Sequence, residues 1–531
     1  MHNPSPRAWT GPTIRHESHF GRLVPCFAER PRNVNDLLAH TVSRHGDREA
    51  VVDGTIRLTY RDLHQASARV AAGLAADGIM AGDRIVLFVT NRHEFMIAFI
   101  ATQYLGAIAV PVNVREERDG LAFVIDQCSA KAIIFDAALA VRLPAPSTAT
   151  THVRRYAIGG ECIGAASFDA LGRSHPPIES IATPGEDDTA VLLYTSGTTG
   201  RPKGAMLTHF NIIHSVLHYQ YCMDIRAADR SMLAVPASHV TGLVAISLAL
   251  FLVGGCVIMM REFKAGPFLA LAARERMTHT LVVPAIYNLL LRDPGFDSVD
   301  LSQWRIGGYG GAPMPGPTIE ALAKKLPGLV LQNAYGATET TSPVTVIPAG
   351  AQAAHLASVG RVVPCGDVRI MDDDGREVAT GEPGELWIGG PMIVPGYWDN
   401  PEATAREFVG GYWKSGDIGS IDDDGYVYVF DRKKDMINRA GYKVYCAEVE
   451  SVLSAHPDVV EVALVAQPDP VLGEKSRAFV VARSASPSGE ALRAYCAEHL
   501  ADYKVPDFVT FLDAPLPRNA NGKVLKRQLR S

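Results

Sequence analysis

Along the first part of the chain, apolar positions alternate between two rhythms. "VNDLLAHTVSRHG" (34–46) repeats them at helical spacing, whereas "EAVVDG" (49–54) and "IRLTYRDL" (56–63) shorten to strand-like runs. "RDLHQASARVAAGLAADG" (61–78) is helical again, and "DRIVLFVTN" (83–91) predicts a strand ending at a polar turn. "EFMIAFIATQYLGA" (94–107) and "GLAFVIDQC" (120–128) read as helices, "IAVPVN" (108–113) and "AKAIIFD" (130–136) as strands. Strand–helix alternation of this kind predicts mostly parallel sheets covered by helices.

The rhythm lapses over 141–185, where Pro, Ser, Thr and Gly without a period predict a loop-rich passage. "LVAISLALFLVGGCVIMM" (243–260) is uncharged and long enough to span a bilayer. Gly254 and Gly255 divide it, however, so a buried helix, a tight turn and a central strand are expected instead. After Pro364 the pattern turns to short strands, with two D-D-D-G sequences (372–375 and 422–425) read as hairpin turns rather than calcium loops. From Lys434 a small α+β module follows: helix over 447–459, strands over 460–467 and 477–483, helix over 489–500. The expected organisation is therefore α/β: a large body of several subdomains (1–433), with helix-covered sheets and a β-rich part, and a small α+β domain (434–531).

Composition narrows the classes. The 531 residues are 47% hydrophobic and 20% charged, and the net charge of -6 gives no basic footprint for nucleic acid. Eight cysteines are scattered singly, without a C-x-x-C pair, which argues against a zinc site or disulfide framework and fits the cytoplasm. The first twenty residues lack the apolar core of a secretory signal, and no membrane span is expected.

One stretch fits neither rhythm. "LLYTSGTTGRPKG" (192–204) sets Thr195, Ser196, Thr198 and Thr199 among Gly197 and Gly200, just before Lys203. Glycines let successive backbone amides turn inward as a nest for phosphate oxygens, the hydroxyls add donors, and the lysine adds a mobile charge. The Walker spacing is absent, so a phosphate loop of another kind and a plain Gly/Thr-rich turn both remain open from these residues alone.

Further motifs follow in order: "GGYGGAPMP" (307–315), "QNAYGATETTS" (332–342), "YWKSGDIG" (412–419), "DRKKDMINRAGYKV" (431–444) and "PRNANGKVLKRQL" (517–529). With these, residues 35–531 resemble the adenylate-forming superfamily, which includes acyl-CoA synthetases, firefly luciferase and peptide-synthetase adenylation domains. The resemblance implies that a carboxylic acid and ATP form an acyl-adenylate, which then passes to a thiol. A carboxylate attacking the α-phosphorus of a polyanion needs positive charge where negative charge builds.

By that resemblance Glu339 holds Mg²⁺, Thr338 donates to the α-phosphate, and Thr195–Gly200 with Lys203 cradle phosphates. Gly310, Gly311 and Ala312, with Asn333, Tyr335 and Gly336, line the adenine slot. Asp417 accepts the ribose hydroxyls, Arg432 adds a charged donor near ribose and phosphates, and Lys433 is expected to be a solvated charge. Lys523 matches the lysine that reaches the carboxylate and α-phosphate during adenylation, where a unit charge pair at about 4 Å is worth roughly 4 kcal/mol. Lys434 matches the hinge about which the small domain swings. That swing brings the loop with Gly441, Tyr442 and Lys443 to the pantetheine tunnel. Asn438 stands where several relatives carry lysine and is assigned no catalytic role.

"VPASHVTGL" (235–243) matches the segment at the mouth of the acyl pocket, with His239 as gate. Val240 stands where amino-acid-activating relatives place an aspartate, and an ammonium unpaired in an apolar pocket is costly, so α-amino acids are disfavoured. A fatty acid and an aryl or alicyclic acid stay open. Coenzyme A is the favoured acceptor; loading of an acyl carrier protein and a non-catalytic adenylate-binding role are the competing readings. The small-molecule acid, ATP and CoA are thus the expected partners, with Mg²⁺ as the cofactor.

Overall fold

The computed structural model describes residues 9, 12–145, 153–195, 201–312, 314–483, 487–518 and 524–530. The chain forms two compact units, one of residues 1–368, 388–413 and 424–426, the other of residues 369–387, 414–423 and 427–531.

Beside a hairpin of Ile14–His19 and Arg22–Phe27, the first unit carries strands of two larger sheets. In the smaller, the strands Ile108–Pro111, Arg84–Phe88, Ala132–Asp136 and Arg154–Ile158 run parallel side by side. These runs are buried, as expected of parallel strands covered on both faces. The hairpin of Thr189–Thr195 and Lys203–Thr208 closes one edge. In the larger sheet Glu49–Asp53, Cys256–Met259, Arg230–Leu233, His279–Val282, Ile306–Tyr309 and Val330–Tyr335 are parallel neighbours in that order. Helices start where the chain leaves the strands. Thr59 caps Tyr60–Ala76 reciprocally with Asp62, and Thr208 does the same for His209–Met223 with Asn211, each pairing exposed helix N–H groups. Buried Asn91 pins the two sheets: its amide donates to the carbonyls of Leu233, Val235 and Met260, and its oxygen accepts from Ala237 N.

The segment 243–260 resolves as predicted into buried helix, turn and strand. Gly254 has φ +78°, and Cys256–Met259 is a buried central strand. No helix among the described residues is long and apolar enough to cross a membrane. Two features depart from the pattern reading. Thr241–Leu248 is a π-type helical stretch, which an all-apolar run cannot signal because it has no periodicity. Residues 141–185, expected as loop, include the strand Arg154–Ile158 and the helix Phe168–Ser174. Both are short, and the strand opens on two arginines, so neither made a readable period.

In the second unit residues 417–421 and 427–432 pair antiparallel, placing Asp417 opposite Arg432. The 372–375 sequence is a turn, in which Asp372 accepts from the N–H groups of Asp374 and Arg376 and Gly375 has φ +76°. The C-terminal part is α+β. Gly473–Ala482 pairs antiparallel with Val459–Asp469 and parallel with Phe508–Phe511, and the helices Cys446–Ser454 and Gly489–His499 share a core of Val449, Leu453, Leu464, Val480 and Leu492.

Candidate active site

Strands in the larger sheet deliver two of the predicted motifs at one edge. Tyr309 pairs with Asn333, so Gly310–Gly311 and Tyr335–Gly336 leave neighbouring parallel strands at their carboxyl ends, where open α/β sheets bind ligands. Gly310 has no room for a side chain, because a Cβ there would stand 2.4 Å from the carbonyl oxygen of Ala334. Gly311 needs its freedom for a different reason, with φ +77° and open space around it. Ala312 is exposed beside them, and Asn333 is buried.

The chain then knots. Ala337 N donates to Thr340 Oγ1, Thr341 N to Thr338 O, and Ser342 N to Ala337 O. Thr341 and Ser342 adopt φ +48° and +42°. Left-handed backbone at a β-branched residue is costly and persists only where surroundings impose it, which is common at functional sites. This knot presents Thr338 at an intermediate depth and Glu339 buried, at 8% exposure.

The smaller sheet brings the Gly/Thr-rich stretch to the same place. It is a hairpin in which Thr195 pairs with Lys203, and Thr195 Oγ1 donates to Glu339 Oε1 at 3.3 Å. Ser196, Gly197, Thr198, Thr199 and Gly200 lie outside the described residues, as does Lys523. Lys203, expected as a mobile charge, is buried, and its ammonium donates to both Glu407 oxygens at 2.8 and 2.7 Å. It also sits 4.0 Å from the centre of the Tyr397 ring, a cation–π distance.

Tyr397 completes the group, with its hydroxyl 2.7 Å from Glu407 Oε2 and 3.0 Å from Glu339 Oε1. Burial, reinforced by those two carboxylates, pushes the phenol well above its usual pKa, so it stays protonated. Glu407 is burdened by burial, yet hydrogen bonds from Lys203, Tyr397 and Arg406 hold it below the usual carboxylate range. Neither Tyr397 nor Glu407 was legible as a site residue. They belong to "PGYWDNPEATAREF" (395–408), where Asn400 and Pro401 start the helix Pro401–Glu407 and its last turn carries the glutamate inward.

Glu339 Oε2 makes no hydrogen bond among the described residues. A carboxylate oxygen with a spare acceptor, on a side chain whose other oxygen takes the Thr195 hydroxyl at 3.3 Å, is a hard oxygen donor of the kind that fits Mg²⁺. His239 stands exposed ahead of the π-type stretch, and its Nδ1 accepts from Thr241 N at 3.2 Å. Gly242 permits this fold-back, since a Cβ there would meet Pro236 O at 2.2 Å. Val240, Leu243, Val244 and Ile246 are buried, without a charged side chain among them.

In the second unit, Asp417 is buried and pairs with Arg432 Nε at 2.6 Å. Lys433, expected to be solvated, instead bridges Asp373 at 2.8 Å and Glu385 at 3.1 Å. Lys434 is exposed, and its carbonyl accepts from Arg530, which also pairs with Asp435 at 2.9 Å. In the "AGYKV" hairpin, Ala440 and Gly441 have φ +51° and +90°, and Asn438 Oδ1 accepts from Gly441 N, so Asn438 is a turn former. Tyr442 is 60% exposed and stacks on Tyr503, and Lys443 is exposed beside it.

Two helix-covered parallel sheets, carrying a Gly/Thr hairpin that meets an acidic knot, define the adenylate-forming class of α/β enzyme. Comparison with known proteins agrees. The family model described as AMP-binding enzyme matches residues 38–398, and that of the AMP-binding enzyme C-terminal domain matches residues 448–523. The long-chain-fatty-acid–CoA ligase FadD13 of Mycobacterium tuberculosis is 36% identical over 482 residues, 90% of this chain and 93% of its own. A feruloyl-CoA synthase of Amycolatopsis is also 36% identical, over 91% of this chain and 95% of its own. The structure of o-succinylbenzoate CoA synthetase (MenE) from Bacillus subtilis, in complex with the acyl-adenylate intermediate OSB-AMP, superposes with TM-score 0.83 at 30% identity. It covers 95% of this chain and 99% of that one. The chain belongs to the AMP-binding enzyme family, as an acyl-CoA synthetase of the adenylate-forming superfamily.

Proposed function

We propose that this AMP-forming acid–CoA ligase takes an apolar carboxylic acid, fatty or aryl to alicyclic, and converts it through the acyl-adenylate to its CoA thioester. The observation that carries the reading is the meeting of Thr195 with Glu339, which joins two motifs 144 residues apart in sequence at the carboxyl edge of the sheets. The buried, uncharged run Val240–Ile246 beside His239 supports an apolar acid over an amino acid. The relatives' own acids, a long-chain fatty acid and ferulate, point the same way.

The proposed roles divide by chemistry. Thr195–Gly200 and Thr338 donate to phosphate oxygens, and Gly310, Gly311, Ala312, Asn333, Tyr335 and Gly336 form the adenine slot. Asp417 accepts from the ribose, with Arg432 pairing with its carboxylate and adding a donor. Glu339 would hold Mg²⁺ through its spare oxygen; when bound, such an ion neutralises phosphate charge and favours departure of pyrophosphate. Lys523 supplies charge for the attack of the acid, and Lys434 is the pivot by which the 434–531 domain exchanges Lys523 for the loop Gly441–Lys443 in the thioester step. His239 gates the acyl pocket. We place the enzyme in the cytoplasm, a reading that eight unpaired cysteines support.

The test is a panel of fatty, aryl and alicyclic acids scored for pyrophosphate release, with CoA, with an acyl carrier protein, or with neither. Acid-dependent release followed by thioester formation with CoA is expected. Release without any CoA thioester would overturn the acceptor, and no acid-dependent release would overturn the activity.

A further inference from the structure

The sequence presents Lys203 as a free charge beside the phosphate loop, but its surroundings give that charge a different use. Its ammonium is buried, meets both oxygens of Glu407, and covers the Tyr397 ring. Glu407 in turn fixes the Tyr397 hydroxyl, whose other neighbour is Glu339. The phenol has one proton for two carboxylates, so it can satisfy only one of them at a time. Removing either member of the Lys203–Glu407 pair leaves a buried, unpaired charge, the costly way to break such a pair.

We infer that Glu407 is a positioning residue. It neutralises Lys203, making that lysine a strut rather than a free phosphate ligand, and anchors the Tyr397 hydroxyl beside Glu339. The inference rests on the ATP site proposed above. Three links follow from the geometry. The strut ties the Lys203 strand, paired with Thr195 across the hairpin, to the helix Pro401–Glu407. Thr195 Oγ1 donates to Glu339 Oε1 and the anchored hydroxyl lies 3.0 Å from the same oxygen, so both neighbours crowd Oε1 and leave Oε2 for a ligand. The positive charge offered to a polyphosphate at this edge must then come from groups other than Lys203.

Charge bookkeeping separates this from direct phosphate contact. If Glu407 absorbs the charge of Lys203, then Lys203→Gln leaves a lone carboxylate near the nucleotide and weakens ATP binding. The double variant Lys203→Gln/Glu407→Gln removes both charges and restores the local balance. If Lys203 instead touches phosphate, the double variant binds no better than Lys203→Gln.

The experiment is titration calorimetry of ATP with Mg²⁺ against the full-length wild type and four variants, in the absence of acid, with kcat measured separately. We expect Glu407→Gln to tighten ATP by about threefold and to lower kcat by about tenfold, since one positive charge is released while Lys203 and Tyr397 lose their fixed positions. The double variant should bind ATP within about twofold of wild type. Glu407→Asp retains the charge on a shorter arm, so it should leave the ATP dissociation constant unchanged and reduce kcat; this variant keeps the test available if the double variant does not fold. A double variant tracking Lys203→Gln, or a Glu407→Asp protein with weakened ATP binding and unchanged kcat, overturns the inference. Wild-type protein that binds no ATP overturns the proposed ATP site along with it.

Discussion

Replacing Gly310 by alanine adds one carbon at the edge where the adenine slot is proposed. Its Cβ would stand 2.4 Å from Ala334 O, a backbone atom with no rotamer to change, so the strands must part by more than half an ångström. Overpacking of this kind costs about 1–3 kcal/mol. The atoms that move belong to Ala334, between Asn333 and Tyr335, so the strain falls on the same slot that a flat base would enter. If nucleotide binding needs the original spacing, ATP affinity falls by about the same energy, roughly tenfold to a hundredfold. Gly328→Ala is the control: it precedes the amino end of Val330–Tyr335, away from the proposed slot, and its Cβ meets nothing within 4 Å. Calorimetric titration with ATP, alongside pyrophosphate release, measures both variants. A folded Gly310→Ala protein with wild-type ATP affinity, or a Gly328→Ala protein that is equally impaired, would refute the reasoning.

Asp417→Asn keeps the shape but removes the charge paired with Arg432 at 2.6 Å, and should raise the KM for ATP by about tenfold or more while 2′,3′-dideoxy-ATP loses less; equal effects on both nucleotides would count against ribose recognition. Lys523→Ala should abolish acid-dependent pyrophosphate release yet retain most of the rate of CoA thioester formation from a supplied acyl-adenylate, and equal loss in both assays would remove its assigned role. Lys434→Pro should slow the thioester step more than adenylation; Lys434 N donates no backbone hydrogen bond among the described residues, so a uniform loss of both steps would speak against a hinge. His93 is opposed by burial but held by Asp53 at 2.9 Å and Glu94 at 3.0 Å, which raise its pKa to about 9. A raised folded-state pKa stabilises fully below about 6.5 and loses that contribution as pH rises through about 9, a contribution on the order of 3 kcal/mol. His93→Gln should therefore lower the denaturation midpoint at pH 7 and flatten its alkaline decline, whereas an unchanged decline would mean that other groups cause it.

The parallel core was legible because strands covered on both faces are near-continuous apolar runs, as in Arg84–Phe88 and Ala132–Asp136. The motifs proposed to hold the nucleotide stood out in the sequence because phosphate and ribose chemistry demands unusual clusters of Gly, Thr and acid. What escaped depended on distant partners. Glu407 is one more acid in a charged heptapeptide until the fold sets it against Lys203, 204 residues earlier. Lys433 looked solvated because Asp373 approaches it from a turn and Glu385 from another strand. The π-type turn beside His239 lay hidden in a run whose every position is apolar or small, and the strand Arg154–Ile158 in a segment too short to show a period.

Acid bearing heavy oxygen in its carboxylate tests the central claim directly, with the products ATP yields examined by mass spectrometry. Attack of that carboxylate on the α-phosphorus must leave one labelled oxygen in AMP once the thioester has formed. Label in AMP, with unlabelled pyrophosphate, is the predicted result. Label in inorganic phosphate together with ADP, or an AMP free of label, would contradict an acyl-adenylate made by this chain.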